Sequence, residues 1–140
     1  YTDYKEGACF QESTDPGFPV CDFSGESLPY APDFSGTLYG DVTLPIGGNL
    51  NFVGNITAAY TEEYYTDGSL SPVGLQDSYT RVSARAGIEA ADGKWSLAVI
   101  GSNLTDEVVL DSTQAIFGYY LGYIGAPRTV MLQGVYRFGG

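Results

Sequence analysis

From Phe34 onward, polar and apolar residues alternate with a period of two over most of the chain. Leu38, Gly40, Val42 and Leu44 fall in phase, with Tyr39, Asp41, Thr43 and Pro45 between them. Gly47-Gly48-Asn49 supplies a tight turn. The next run places Leu50, Phe52, Gly54, Ile56, Ala58 and Tyr60 on one face and Asn51, Val53, Asn55, Thr57 and Ala59 on the other. A third strand is predicted from about Ser78 to Ala90, with Thr80, Val82, Ala84, Ala86 and Ile88 opposed to Tyr79, Arg81, Ser83, Arg85 and Glu89. Asp92-Gly93 is a two-residue hairpin signal. A fourth strand starts at Trp95, with Leu97, Val99 and Gly101 in phase, and a fifth runs from Arg128 to Phe138, with Val130, Leu132, Gly134, Tyr136 and Phe138 on its apolar face.

The predicted class is all-β, an antiparallel up-and-down arrangement of about five strands. Residues 1–34, 61–77 and 103–127 read as long irregular loops, and the connections near 46–49 and 91–94 as short turns. Long loops alternating with short turns are the asymmetry of a bacterial outer-membrane barrel, with its long extracellular and short periplasmic connections. Trp95, Tyr136 and Phe138 fit one interfacial girdle, and Tyr60, Tyr64, Tyr65 and Tyr79 the other. A soluble antiparallel sandwich also produces alternation and hairpins. Two features weigh against it. The predicted strands exceed the usual ~5–6 residues, and the less apolar face carries Asn51, Asn55, Arg81, Arg85 and Glu89, as a hydrated lumen does.

Composition narrows the function. The chain has no His, so the commonest general base and metal ligand is missing. No nucleophile elbow or phosphate-binding glycine loop is present, so an enzyme is not expected, nor a cofactor or metal. No apolar run reaches the ~18–20 residues of a spanning helix. The net charge of −11 opposes nucleic acid as a partner. Acids crowd residues 1–34 and recur in the other two loops. Cys9 and Cys21 enclose a short turn-rich loop. A disulfide between them restrains the chain by ~3 kcal/mol and implies an oxidising compartment. The sequence begins at Tyr1 with neither initiating Met nor signal peptide, which reads as a processed or partial product.

Several motifs together resemble one family. Trp95 leads a strand into Asn103-Leu104-Thr105-Asp106-Glu107; Ala126-Pro127-Arg128-Thr129 opens the final strand; Val135-Tyr136-Arg137-Phe138 closes it. Upstream lies Ser24-Gly25-Glu26-Ser27-Leu28-Pro29-Tyr30-Ala31-Pro32. In this order they resemble the C-terminal barrel segment of TonB-dependent outer-membrane receptors, over nearly all 140 residues. The family usually stops at the terminal Phe, whereas this chain continues with Gly139-Gly140.

The resemblance implies that residues 1–34 form a disulfide-bearing extracellular loop and 35–140 the last transmembrane strands of a barrel of about 22 strands. Neither a plug domain nor the remaining strands are recognisable. It further implies import of a scarce ligand (a siderophore, vitamin or oligosaccharide) at the bacterial outer membrane. The partners would be lipid, the rest of the receptor chain and, through the missing plug, TonB. Tyr136 and Phe138 would belong to the insertion signal. Candidate ligand contacts are the loop aromatics Tyr64, Tyr65, Phe117, Tyr119, Tyr120 and Tyr123, since rings stack on sugars and chelates. Arg81, Arg85 and Glu89 are candidate lumen charges. Asp106 and Glu107 read as turn formers, because two neighbouring carboxylates supply too few oxygens for calcium.

A different class of function competes. Five strands alone cannot close a barrel and leave two apolar edges. Such a sheet is expected to recruit identical copies of itself in a cross-β manner. The chain would then be a proteolytic receptor fragment assembled into an extracellular, amyloid-like structural filament.

Overall fold

The computed structural model describes residues 6–8, 20–22, 25 and 27–138. Eleven strands occur among them: β1 Glu6–Ala8, β2 Val20–Asp22, β3 Ser35–Gly47, β4 Leu50–Thr61, β5 Tyr64–Tyr65, β6 Leu75–Gln76, β7 Tyr79–Ala90, β8 Trp95–Ser102, β9 Leu110–Ile116, β10 Tyr119–Ile124 and β11 Thr129–Tyr136. The fold is all-β and antiparallel, with its only helical turn at Pro72–Gly74 among the described residues. No helix of the described residues is long and apolar enough to cross a membrane.

The five long strands make one sheet in the order β11-β8-β7-β4-β3, and the strands do not close into a barrel. Sequence neighbours are sheet neighbours where the connections are short. The β3–β4 link is Gly48-Asn49, both with φ of 60°. Positive φ at both central residues is the type I′ geometry, whose twist matches a hairpin. Between β7 and β8 the connection is residues 91–94, the short turn expected there, with Asp92-Gly93 at its centre. The Asp92 carboxylate accepts the Lys94 amide at 3.1 Å and Gly93 N–H donates to the Ala90 carbonyl, and these two bonds hold the turn.

Register sorts the residues into two faces. Ala84, Gly101 and Val130 lie side by side, as do Ala86, Val99 and Leu132, and Ile88, Leu97 and Gly134. These rows are apolar, and Val42, Phe52 and Ile56 line shallow apolar grooves together with Ala84, Ala86 and Ile88. The opposite face carries the rows Arg85, Ile100, Met131 and Glu89, Ser96, Val135. In β8, Leu97 and Val99 are 44% and 48% exposed, while Ala98 between them is 2% exposed. Ala98 lies opposite Gly87, where an added Cβ would fall 2.5 Å from the Leu97 carbonyl oxygen. Only a glycine lets β7 and β8 approach there.

The chain divides into two compact units. The sheet unit holds residues 36–60, 80–107 and 126–140; the loop unit holds 1–35, 61–79 and 108–125. Three segments expected to be irregular therefore belong to one unit, and they contain paired strands: β1 with β2, β5 with β6, β9 with β10. The 103–127 loop in particular is largely a hairpin. Phe117 and Gly118 turn it with φ of 48° and 83°. The expected disulfide falls outside the described residues at Cys9, and Gly139 and Gly140 fall outside them too; the Cys21 backbone pairs with Gly7.

Candidate functional site

In the loop unit, Thr66, Asp67 and Gln76 tie three segments together through buried polar contacts. The Thr66 hydroxyl donates to the Gly74 carbonyl at 2.8 Å and lies 2.7 Å from the Thr113 hydroxyl, 47 residues away. Thr113 N–H donates to the Thr66 carbonyl. The Asp67 Oδ1 accepts from the Ser69 amide and hydroxyl at 2.8 and 2.6 Å. Ser71 caps the Pro72–Gly74 turn by accepting the Val73 amide, with Pro72 in the first helical position. The Gln76 side-chain Oε1 accepts the Leu110 amide, fixing the start of β9. Asp67 Oδ2 is buried without a hydrogen-bond partner and lies against Gly74, where a Cβ would overlap it. The Asp67-Gly-Ser-Leu-Ser-Pro72 run carries a recognisable turn signature, but its partner Thr113 is signalled by nothing local.

This scaffold displays the β9–β10 hairpin. Register puts Tyr119 with Ile116, Leu121 with Gln114 and Tyr123 with Ser112 on one face. Tyr120 with Ala115 and Gly122 with the buried Thr113 take the other. On the first face Tyr119, Leu121 and Tyr123 are 75%, 48% and 58% exposed, and Phe117 at the tip is 98% exposed. Four of the six predicted ligand aromatics, Phe117, Tyr119, Tyr120 and Tyr123, therefore share one hairpin. Tyr64 and Tyr65 belong to a different strand pair, half-buried in β5 opposite Gln76 and Leu75. The register breaks between Tyr123 and Ile124, leaving exposed Asp111 as the bulge residue.

In the sheet unit, Asn103, Leu104, Thr105, Asp106 and Glu107 form one structural knot with Ala126 and Arg128, the residues flanking Pro127. Asn103 is buried and adopts φ of 50°. Its amide nitrogen donates to the Glu107 and Ala126 carbonyls at 2.8 and 3.3 Å, and its oxygen accepts the Glu107 amide at 3.1 Å. Leu104 N–H reaches the Val82 carbonyl, and Thr105 lies 3.5 Å from Asn103 through its hydroxyl. Asp106 pairs with Arg128 at 3.1 Å. These residues fasten the exit of β8 to the entrance of β11, which is what turn formers do.

Trp95 lies opposite Tyr136, and the Tyr136 and Phe138 rings meet edge-on at 4.7 Å. Trp95 and Tyr136 border a groove of about 750 Å³ with the two short turns. Beside it, the Lys94 backbone N–H holds the Asp92 carboxyl below its ordinary value, desolvation opposes it, and the Lys94 ammonium adds to the lowering. Arg81, Arg85 and Glu89 project from one face of β7 at four-residue intervals. Arg85 and Glu89 make no ion pair among the described residues. No group of three or more His, Cys, Asp or Glu side chains able to hold a metal occurs among the described residues.

Comparison with family models, curated proteins and solved structures returned no match.

Proposed function

We propose that this chain is the C-terminal strand segment of an outer-membrane TonB-dependent receptor that imports a scarce ligand. The observation that carries the reading is the exposed apolar face of the sheet. Large apolar side chains such as Leu97, Val99, Val130 and Leu132 are exposed on one face, whereas the other mixes Arg85, Glu89 and Ser96 with Ile100, Met131 and Val135. That distribution costs free energy in water and stabilises the sheet when hydrocarbon covers the apolar face. Strands of 12 and 13 residues at β3, β4 and β7 are long enough to cross tilted. The long connections all join the sheet at one end and the short turns at the other. Trp95, Tyr136 and Phe138 at the short-turn end suit an interfacial girdle.

A second reading is favoured by one observation: β3 and β11 are both edge strands of the described sheet, with exposed side chains along nearly their whole lengths. Unpaired edges recruit copies, and a released fragment would assemble through them into an extracellular filament. The mass of the native particle in mild detergent, measured beside the denatured polypeptide mass, separates the two. A single polypeptide several times heavier than 15.0 kDa supports the receptor reading. A 15.0 kDa polypeptide inside a very large or fibrous particle overturns it in favour of assembly.

A further inference from the structure

The two units differ completely in charge. The sheet unit contains five acidic and five basic residues. The described residues of the loop unit contain eight acids (Glu6, Asp22, Asp33, Glu62, Glu63, Asp67, Asp77 and Asp111) and neither Lys nor Arg. The excess negative charge of the chain thus lies entirely outside the sheet unit. A field of one sign concentrates cations near the loop unit and repels anions.

The hairpin within that unit presents a surface of matching chemistry. Tyr119, Leu121 and Tyr123 form an uncharged strip about 13 Å long at roughly 3.3 Å per residue, continued by Phe117 at the tip. Phenol rings bind cations on their faces, and Leu121 adds apolar contact between them. At the end of the strip remote from Phe117 stands Asp111, exposed, with no ion-pair or hydrogen-bond partner among the described residues. A carboxylate at one end and rings along the body complement a molecule with one compact positive group and an apolar or aromatic tail. Nothing on this hairpin complements an anion.

From this we infer that the outer face of the β9–β10 hairpin binds small organic cations, an ammonium or guanidinium carried on an apolar body. The positive group pairs with Asp111 and the body lies along Tyr123, Leu121 and Tyr119. This names a ligand class for the import reading and rests on it for biological meaning, while the binding itself belongs to the chain in hand.

The test is a titration of the whole chain in non-ionic detergent with three probes of equal body: 4-phenylbutyltrimethylammonium, 4-phenylbutanol and 4-phenylbutanesulfonate. Chemical shifts of the hairpin amides are the readout. The expected order is cation, then alcohol, then sulfonate, with the cation about fivefold tighter than the alcohol, the scale of an exposed cation–π contact. Asp111→Asn, nearly isosteric, weakens the cation about threefold, as an exposed pair would, and leaves the alcohol unchanged. Tyr123→Ala weakens cation and alcohol together; Leu121→Asn repeats that test should the tyrosine variant disturb the hairpin. Equal binding of the three probes, tighter binding of the sulfonate, no shift at millimolar cation, or indifference to Asp111→Asn each overturns the inference. None of these outcomes bears on the particle mass, so the inference and the receptor reading fail separately.

Discussion

The sheet unit and the loop unit use opposite means to become ordered. In the sheet unit cohesion comes from ladders between long strands, charge is balanced five against five, and the apolar face remains exposed. In the loop unit the strands are short, the buried side chains include Thr66, Ser71, Gln76 and Thr113, and cohesion depends on hydrogen bonds among them. The sheet unit leaves large apolar side chains uncovered, whereas the loop unit pairs most of its buried polar groups and leaves Asp67 Oδ2 as the exception among the described residues.

Substitutions that strike one unit should leave the other standing. The largest effect is expected from Gly87→Val, which forces a side chain into the Leu97 carbonyl and Ala98 and should cost about 3 kcal/mol as overpacking. In detergent, hydrogen exchange should quicken along β7 and β8 while the Thr113 amide stays protected; uniform acceleration would show a single cooperative structure instead. Asn103→Ala removes four side-chain hydrogen bonds from a buried site and should cost about 2 kcal/mol, seen as a lower urea midpoint and a loosened Ala126 segment. Thr113→Val deletes the hydroxyl contact with Thr66 and should cost about 1 kcal/mol, confined to protection of Thr66 and Gly74. Added salt should slow exchange in the loop unit, because screening relieves repulsion among its acids, and should leave the charge-balanced sheet unit unchanged. The smallest effect concerns Asp92, whose folded carboxyl titrates below its ordinary value. A depressed folded value means the Asp92–Lys94 contact stabilises the turn above the unfolded value and loses that contribution as pH falls through the folded one. The Lys94 amide resonance should therefore move only at pH below about 4, and Asp92→Asn should abolish the movement.

The five long strands were legible because one face of each is uniformly apolar, which leaves a period of two in the sequence. Their ends agreed within a few residues for the same reason: the pattern stops where the faces stop. The β9–β10 hairpin was not legible. Its bulge at Asp111 breaks the period after Leu110, and Phe117 bears a positive φ that no rule assigns to phenylalanine. The Asn103–Glu107 stretch was visible as a turn, and its dependence on buried Asn103 emerged only from the contacts. Thr66 and Thr113 lie too far apart in sequence for any local signal to join them. Acid clustering in the loops could be read directly; that Asp106 and Glu107 belong instead with the bases of the sheet unit could not.

Strand parity has a consequence. Neighbours in the sheet run in opposite directions, so with five strands β3 and β11 point the same way. A ring in which every neighbour is antiparallel contains an even number of strands. Whatever completes such a ring around this segment must contribute an odd number. Copies stacked by translation alone would set β11 of one beside β3 of the next in parallel. An unbroken antiparallel ribbon of copies requires every second copy to be turned over.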